Sequence, residues 1–239
     1  MHLYYWGDDI HADCFTIGCD GKTMQGWDEL ATGLAVRLEQ SPGPSVVILE
    51  TEFNKHQVKD NEDLDGYLEQ KALAIKAIDP DTAVVLGLGN WYPQAWPTWD
   101  RAAAASDYVG LQGLQASTKD PVERALSMKQ DLVNGATRAR ELFGKPIFVH
   151  DLAVSSYPEP DHLGTQGEAI ASLARGLGDL YEAGVEAVMY RSFFDVPSMP
   201  SSEHYGEAEK HWGLAWRETG QLKPAGEAWV EAMKAARSA

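Results

Sequence analysis

The chain has 239 residues, 44% hydrophobic and 23% charged, a composition that excludes a disordered or fibrous protein and is enough for one α/β core. Acidic residues outnumber basic ones 36 to 20, a formal charge of −16, and that field repels phosphate backbones and anionic lipid, so nucleic acid and membrane surfaces are excluded as partners. No window approaches the about 18 consecutive apolar residues of a membrane span, and the opening MHLYYWGDD has no signal-peptide character, so a soluble chain is expected and its compartment stays open.

Short apolar runs alternate with longer amphipathic segments, the pattern of repeated βα units on a parallel sheet. In chain order the pattern predicts a strand at Leu3 to Trp6, a helix at Trp27 to Gln40, a strand at Val46 to Glu52 and a helix at Asp63 to Ile78. A strand at Ala83 to Leu88, a helix at Pro97 to Ala105, a strand at Tyr108 to Gln112 and a helix at Pro121 to Phe143 follow. The series closes with a strand at Pro146 to Asp151, a helix at Thr165 to Ala183, a strand at Ala187 to Phe193 and a helix at Pro224 to Ala236. The six strands are continuously apolar, as strands buried on both faces should be. Helix ends are marked by Ser41-Pro42-Gly43-Pro44, Asp79-Pro80-Asp81, Gly144-Lys145-Pro146 and Gly184. The joints leading into strands are short, whereas the loops leaving them are long and rich in Trp, Tyr, Asn, His and Asp. That asymmetry places the functional face at the C-terminal ends of the strands, as in α/β barrels. The segments read as one domain over residues 1–239, with no linker.

Chemistry concentrates at those ends. Val46-Val47-Ile48-Leu49-Glu50-Thr51-Glu52 runs a buried strand into two carboxylates, and a period of two puts Glu50 and Glu52 on the face of Ile48. Pro146-Ile147-Phe148-Val149-His150-Asp151 ends in an acid in the same way. Two acids on one rim suit glycoside hydrolysis, which needs one carboxyl to protonate the leaving oxygen and another as nucleophile or base. The plainer alternatives are salt-bridged strand-end acids, a turn-forming Asp151, and a rim ion pair for Arg191. Arg191 and Asp195 follow the last strand, where Arg191 is placed to pair with a carboxylate. Eight tryptophans are a heavy aromatic load, and sugar faces stack on such rings: Trp6, Trp91, Tyr92 and Trp212 lie at or after strands, whereas Trp27 and Trp229 fall on helices and read as packing. Cys14 and Cys19 alone build neither a disulfide framework nor a zinc site. The histidines show no H-E-x-x-H spacing, and no serine sits in a nucleophile elbow, which excludes zincin and α/β-hydrolase chemistry. A divalent metal held by Glu52, His56, His150 and Asp151 is a further reading.

The ordered strand ends resemble the large clan of retaining glycoside hydrolases built on a (β/α)8 barrel, the cellulase- and mannanase-like superfamily. Val47 to Asn54 looks like the clan's fourth strand, Asp107 to Gln112 like its sixth, Lys145 to Asp151 like its seventh and Ala187 to Asp195 like its eighth. Trp212-Gly213-Leu214, then Gly220 and Lys223-Pro224-Ala225, is similar to the clan's ending. The resemblance implies Glu52 as general acid/base and Asp151 at the nucleophile position, with Trp6, Glu50, Asn54, Trp91, Tyr92, Gln112, His150, Arg191, Asp195 and Trp212 contacting a carbohydrate substrate and no cofactor. The sequence departs from the clan in reading Glu-Thr-Glu on strand four and Asp on strand seven, where Asn-Glu and Glu are usual. Asp is one methylene shorter and widens a carboxyl separation of about 5 Å toward the inverting range. Six βα units are readable where the barrel has eight, which implies a partial barrel whose missing units, and any export signal, would precede Met1; open edges would favour self-association. The rival from another class is a non-catalytic glycan-binding barrel.

Overall fold

The computed structural model describes residues 2–3, 24–40, 43–49, 52, 54, 62–91, 93–96, 99–201 and 204–237. Among the described residues six strands, β1 (His2–Leu3), β2 (Val46–Leu49), β3 (Ala83–Leu88), β4 (Tyr108–Gln115), β5 (Ile147–Val154) and β6 (Val185–Tyr190), hydrogen-bond in chain order. The helices between them are α1 (Met24–Glu39), α2 (Glu62–Ile78), α3 (Asp100–Ala105), α4 (Val122–Phe143), α5 (Leu163–Arg175), α6 (Leu177–Glu182) and α7 (Pro224–Arg237). The α/β alternation expected from the sequence is therefore the observed one, and no helix among the described residues is long and apolar enough to cross a membrane. The chain divides into two compact units, Met1–Gln112 with Arg138–Phe148, and Gly113–Thr137 with Val149–Ala239.

In the first unit β1 to β4 pair in parallel, with Val46 opposite Ala83 and Val85 opposite Tyr108. Val47, Ile48, Leu49, Val84, Val85 and Leu86 are wholly buried, which is why these runs carry no polar alternation. Helix α2 packs against α1 and α3. Helix α3 begins at Asp100, three residues later than the sequence pattern predicts. Asp65 of α2 supplies the reason: its carboxylate accepts the backbone N–H of Arg101 (3.3 Å) and of Ala102 (2.8 Å), fixing where the helix starts. At the far edge Asp107 accepts from Val84 N (2.8 Å) and pairs with Lys76 (3.1 Å), which ties α2 to the strand entrances.

In the second unit, the last residues of β4, all but the start of β5, and β6 carry α5, α6 and α7. Backbone bonds from Ser155 N to Gln115 O (2.9 Å) and from Arg191 N to Leu152 O (2.9 Å) continue the ladder past the ends read from sequence. The strand expected at Ala187 to Phe193 runs instead over Val185–Tyr190, because Gly184, at φ 97°, turns the chain straight into it. Helices α5 and α7 pack closely; a Cβ on Gly167 would lie 2.8 Å from Pro224 Cβ. The single helix expected from Thr165 to Ala183 is broken at Gly176, whose α-carbon lies so close to Lys129 that a Cβ would meet its Cδ at 2.1 Å. Lys129 crosses that break to Asp179 at 2.6 Å.

Candidate functional site

In the first unit the rim of the sheet is organised by Asn54. Its Nδ2 donates to Gly89 O and its Oδ1 accepts from Gly89 N, both at 2.8 Å and buried, so one side chain replaces a strand partner at the end of β3. Trp91 folds back over the same glycine: its N–H donates to Gly89 O (2.9 Å), and a Cβ at position 89 would fall 1.9 Å from its ring. Trp96 Nε1 donates to Trp91 O (2.8 Å) and locks the turn. The Trp91 indole is thus packed against the backbone of Gly89. Glu52 lies in a turn beyond β2, half-buried, with one carboxylate oxygen out of contact with solvent. Gln112 is buried on β4, 5% exposed. Trp6, Glu50, His56 and Tyr92 lie outside the described residues.

In the second unit strand alternation separates His150 from Asp151. Leu152 packs on Gly113 and faces Leu132 of α4, so His150, Leu152 and Val154 turn toward the helices while Asp151 and Ala153 face the other way. His150 is completely buried there, away from the face of Asp151. Asp151 accepts a hydrogen bond from Arg191 Nη1 at 3.0 Å; its side chain is 3% exposed and that of Arg191 26%. Trp212 is 2% exposed and packs with Ala116, Ala153 and Ala208, flanked by Leu114, Tyr157, Tyr190 and Tyr205, so it is part of a core cluster.

The densest polar cluster centres on Lys223, which is fully buried just before α7. Its ammonium donates to Asp195 Oδ2 (2.7 Å), Glu159 Oε1 (2.8 Å) and Ser156 Oγ (2.8 Å), so three acceptors meet its three protons. Asp195 also accepts from Gly213 N (2.8 Å), and Glu159 accepts from Ser156 Oγ (2.5 Å) and Trp216 Nε1 (3.3 Å). Burial would raise the Glu159 carboxyl, but the hydrogen bonds from Lys223 and Ser156 and the Lys223 charge win, lowering it from 4.5 to about 2. Glu159, Asp195 and His211 form the one trio of potential metal ligands within 4.8 Å among the described residues, and there the lysine already supplies the cation.

No protein-family model matches the chain, and no curated protein does. Solved structures do. A GH5_18 protein from Streptomyces cattleya, solved in complex with GlcNAc, superposes with a TM-score of 0.70 at 17% identity over 92% of this chain and 55% of its own. An exo-β-1,4-mannosidase from Opitutaceae bacterium strain TAV5 gives 0.65 at 16% identity, covering 97% of this chain and 42% of its own, and an endo-β-1,4-mannanase from Thermotoga petrophila 0.60 at 13%, covering 93% and 51%. The fold is that of the (β/α)8 glycoside hydrolases. The chain spans about half the length of these structures.

Within the glycoside hydrolase fold, three of the sequence-derived site residues hold one another or the rim: Asp151 with Arg191, and Asn54 with the Gly89 to Trp91 turn. Asp195 and Trp212, expected at the substrate, are instead engaged in the lysine cluster and the aromatic core. The metal reading through His150 and Asp151 loses its geometry, because alternation sends the two side chains to opposite faces of β5. The sequence pattern does not bring Lys223, Glu159 and Ser156 together. One signal was present: a lysine at a helix N-terminus opposes the helix dipole and requires carboxylate partners.

Proposed function

We propose that the chain is a glycoside hydrolase acting on a neutral β-linked polysaccharide. Glu52 protonates the glycosidic oxygen as the bond to the anomeric carbon breaks. Asp151 attacks that carbon, or takes a proton from the water that does. Asn54, Gln112 and Trp91, with Trp6, Glu50 and Tyr92, are the proposed substrate contacts in the first unit, Arg191 positions Asp151, and no cofactor takes part. The observation that carries the reading is the Asp151–Arg191 pair: a buried carboxylate on β5, oriented by a guanidinium at 3.0 Å, in a chain with this fold. The mannosidase and mannanase among the structural neighbours support a β-1,4-linked mannan as the first substrate to try.

The test is reducing-sugar release from soluble mannan, xylan and β-glucan by the wild type, Glu52→Gln and Asp151→Asn. Release by the wild type that falls at least about a hundredfold in both variants supports paired carboxylates. Undiminished release in either one removes that residue from the mechanism. A second reading, a glycan-binding barrel without turnover, is favoured by the 3% exposure of the Asp151 side chain, which leaves little room for attack on a sugar. Under that reading the wild type binds a polysaccharide and releases no reducing ends.

A further inference from the structure

Strand β5 runs on to Val154, whereas β6 stops at Tyr190. A backbone rung from Arg191 N to Leu152 O (2.9 Å) joins the two just past that stop. Two residues further on, Val154 directs its N–H and C=O to the same side as Leu152, and there side chains take the place of a strand. The Tyr190 hydroxyl accepts from Val154 N (3.4 Å), and Gln166 Nε2 donates to Val154 O (2.8 Å). Gln166 is wholly buried on α5, and the same nitrogen donates to Gly213 O (3.1 Å), the residue whose N–H is fixed by Asp195. One glutamine thus ties the end of β5 to the turn that the lysine cluster anchors. The phenol is held as well: its ring meets that of Trp229 on α7, centroids 5.5 Å apart at 58°. Burial pushes its ionisation above the ordinary value, against the opposing bonds from Val154 and Gln166, so the hydroxyl keeps its proton. Neighbouring residues of a strand face opposite ways, so while Tyr190 reaches Val154 and Gln166, Arg191 turns to Asp151.

We propose that Tyr190 and Gln166 are positioning residues: by bracketing the backbone of Val154 they hold the end of β6 in the register at which Arg191 Nη1 meets Asp151 at 3.0 Å. A strand end frays unless something ties it, and a slip of one residue would send Arg191 to the other face. Because Tyr190 is covalently next to Arg191, any play in its anchor passes straight to the guanidinium. The role rests on the proposed function, in which Asp151 is the attacking or water-activating carboxylate. A carboxylate displaced by roughly 1 Å in such a step loses about a hundredfold in rate, so the register is worth fixing from outside the site.

The experiment is a double-mutant cycle on the full chain, read by urea denaturation of the wild type, Tyr190→Phe, Arg191→Met and the two combined. Phenylalanine keeps the ring and removes only the hydroxyl. A control cycle puts Gly178→Ala, which lies in open space on α6, in place of Arg191→Met. Expected is coupling: the loss in the folding equilibrium constant caused by Tyr190→Phe is at least about threefold smaller when Arg191 is already methionine, whereas with Gly178→Ala the effects multiply to within about twofold. Gln166→Met in the same cycle tests the other half of the bracket and should couple in the same sense. Additivity of both variants with Arg191→Met overturns the proposal. Reducing-sugar release from soluble mannan, xylan and β-glucan, measured well below the melting temperature, gives a readout that a merely structural role leaves alone. Tyr190→Phe should lower kcat about tenfold or more at unchanged KM. An unchanged kcat, with or without a raised KM, overturns positioning. Coupling without release by the wild type overturns hydrolysis and keeps the bracket; release with additive variants does the reverse.

Discussion

Replacing Lys223 by methionine removes one positive charge and three hydrogen-bond donors while nearly preserving side-chain length. What remains is a pair of carboxylates, Asp195 with 8% and Glu159 with 25% of the side chain exposed, that had shared a fully buried counter-ion. Uncompensated buried charge of this kind costs about 3–5 kcal/mol. For a chain of this length that corresponds to a drop in melting temperature of roughly 10 °C. The pH dependence is the more diagnostic quantity. Glu159 in the folded protein titrates at about 2, below its ordinary 4.5, so its contribution is fully present above 4.5 and is lost as the pH falls toward 2. The shift corresponds to roughly 3 kcal/mol, reduced to about 1–2 kcal/mol by solvent screening of a partly exposed group. In Lys223→Met the lysine's share of that depression is gone and only the Ser156 and Trp216 hydrogen bonds oppose burial, so the deficit relative to the wild type should be largest at pH 7 and should shrink between about pH 5 and pH 2. Urea denaturation of both proteins at pH 7, 5 and 3 measures it. A deficit under about 1 kcal/mol at pH 7, or one of the same size at pH 7 and pH 3, refutes a stabilising role for the lysine cluster.

Asn54→Ala removes both bonds to Gly89 and leaves that glycine's N–H and C=O unpaired; a loss of about 2–3 kcal/mol is expected by chemical denaturation, with Asn54→Asp intermediate because it keeps an acceptor. Gly213→Ala and Gly178→Ala should differ in sign. A Cβ at 213 would sit 2.2 Å from Asp195 N and force the backbone apart, lowering stability by about 2 kcal/mol or more, whereas Gly178 in α6 has open space and should gain roughly 0.5–1 kcal/mol; thermal melts of the pair decide it. Arg191→Met takes the guanidinium from a buried carboxylate, and calorimetry should show a loss of about 3 kcal/mol that Asp151→Asn in the same chain largely restores; no restoration would mean that the two residues are not coupled.

Periodicity by itself determined the alternation of strands and helices, because runs such as Val84-Val85-Leu86 are apolar on both faces only where a parallel sheet is covered on both sides. It also singled out Glu52, Asn54 and Asp151 as polar groups closing apolar runs; Glu52 and Asn54 do lie beyond β2, whereas Asp151 lies within β5, which continues to Val154. The Asp151–Arg191 pair was half legible: the residue types promised an ion pair, but only the ladder between β5 and β6 fixed its register. Tertiary structure alone decided the rest. That Asp195 is bound to Lys223, 28 positions along the chain, and that Trp212 is wrapped in alanine and tyrosine depend on loops returning to one another, a long-range fact that local pattern does not encode. The break at Gly176 and the start of α3 were set in the same way, by Lys129 and Asp65 arriving from other helices. Local propensity weighs only nearest neighbours, whereas burial and charge pairing are settled by whichever distant side chain fills the remaining space.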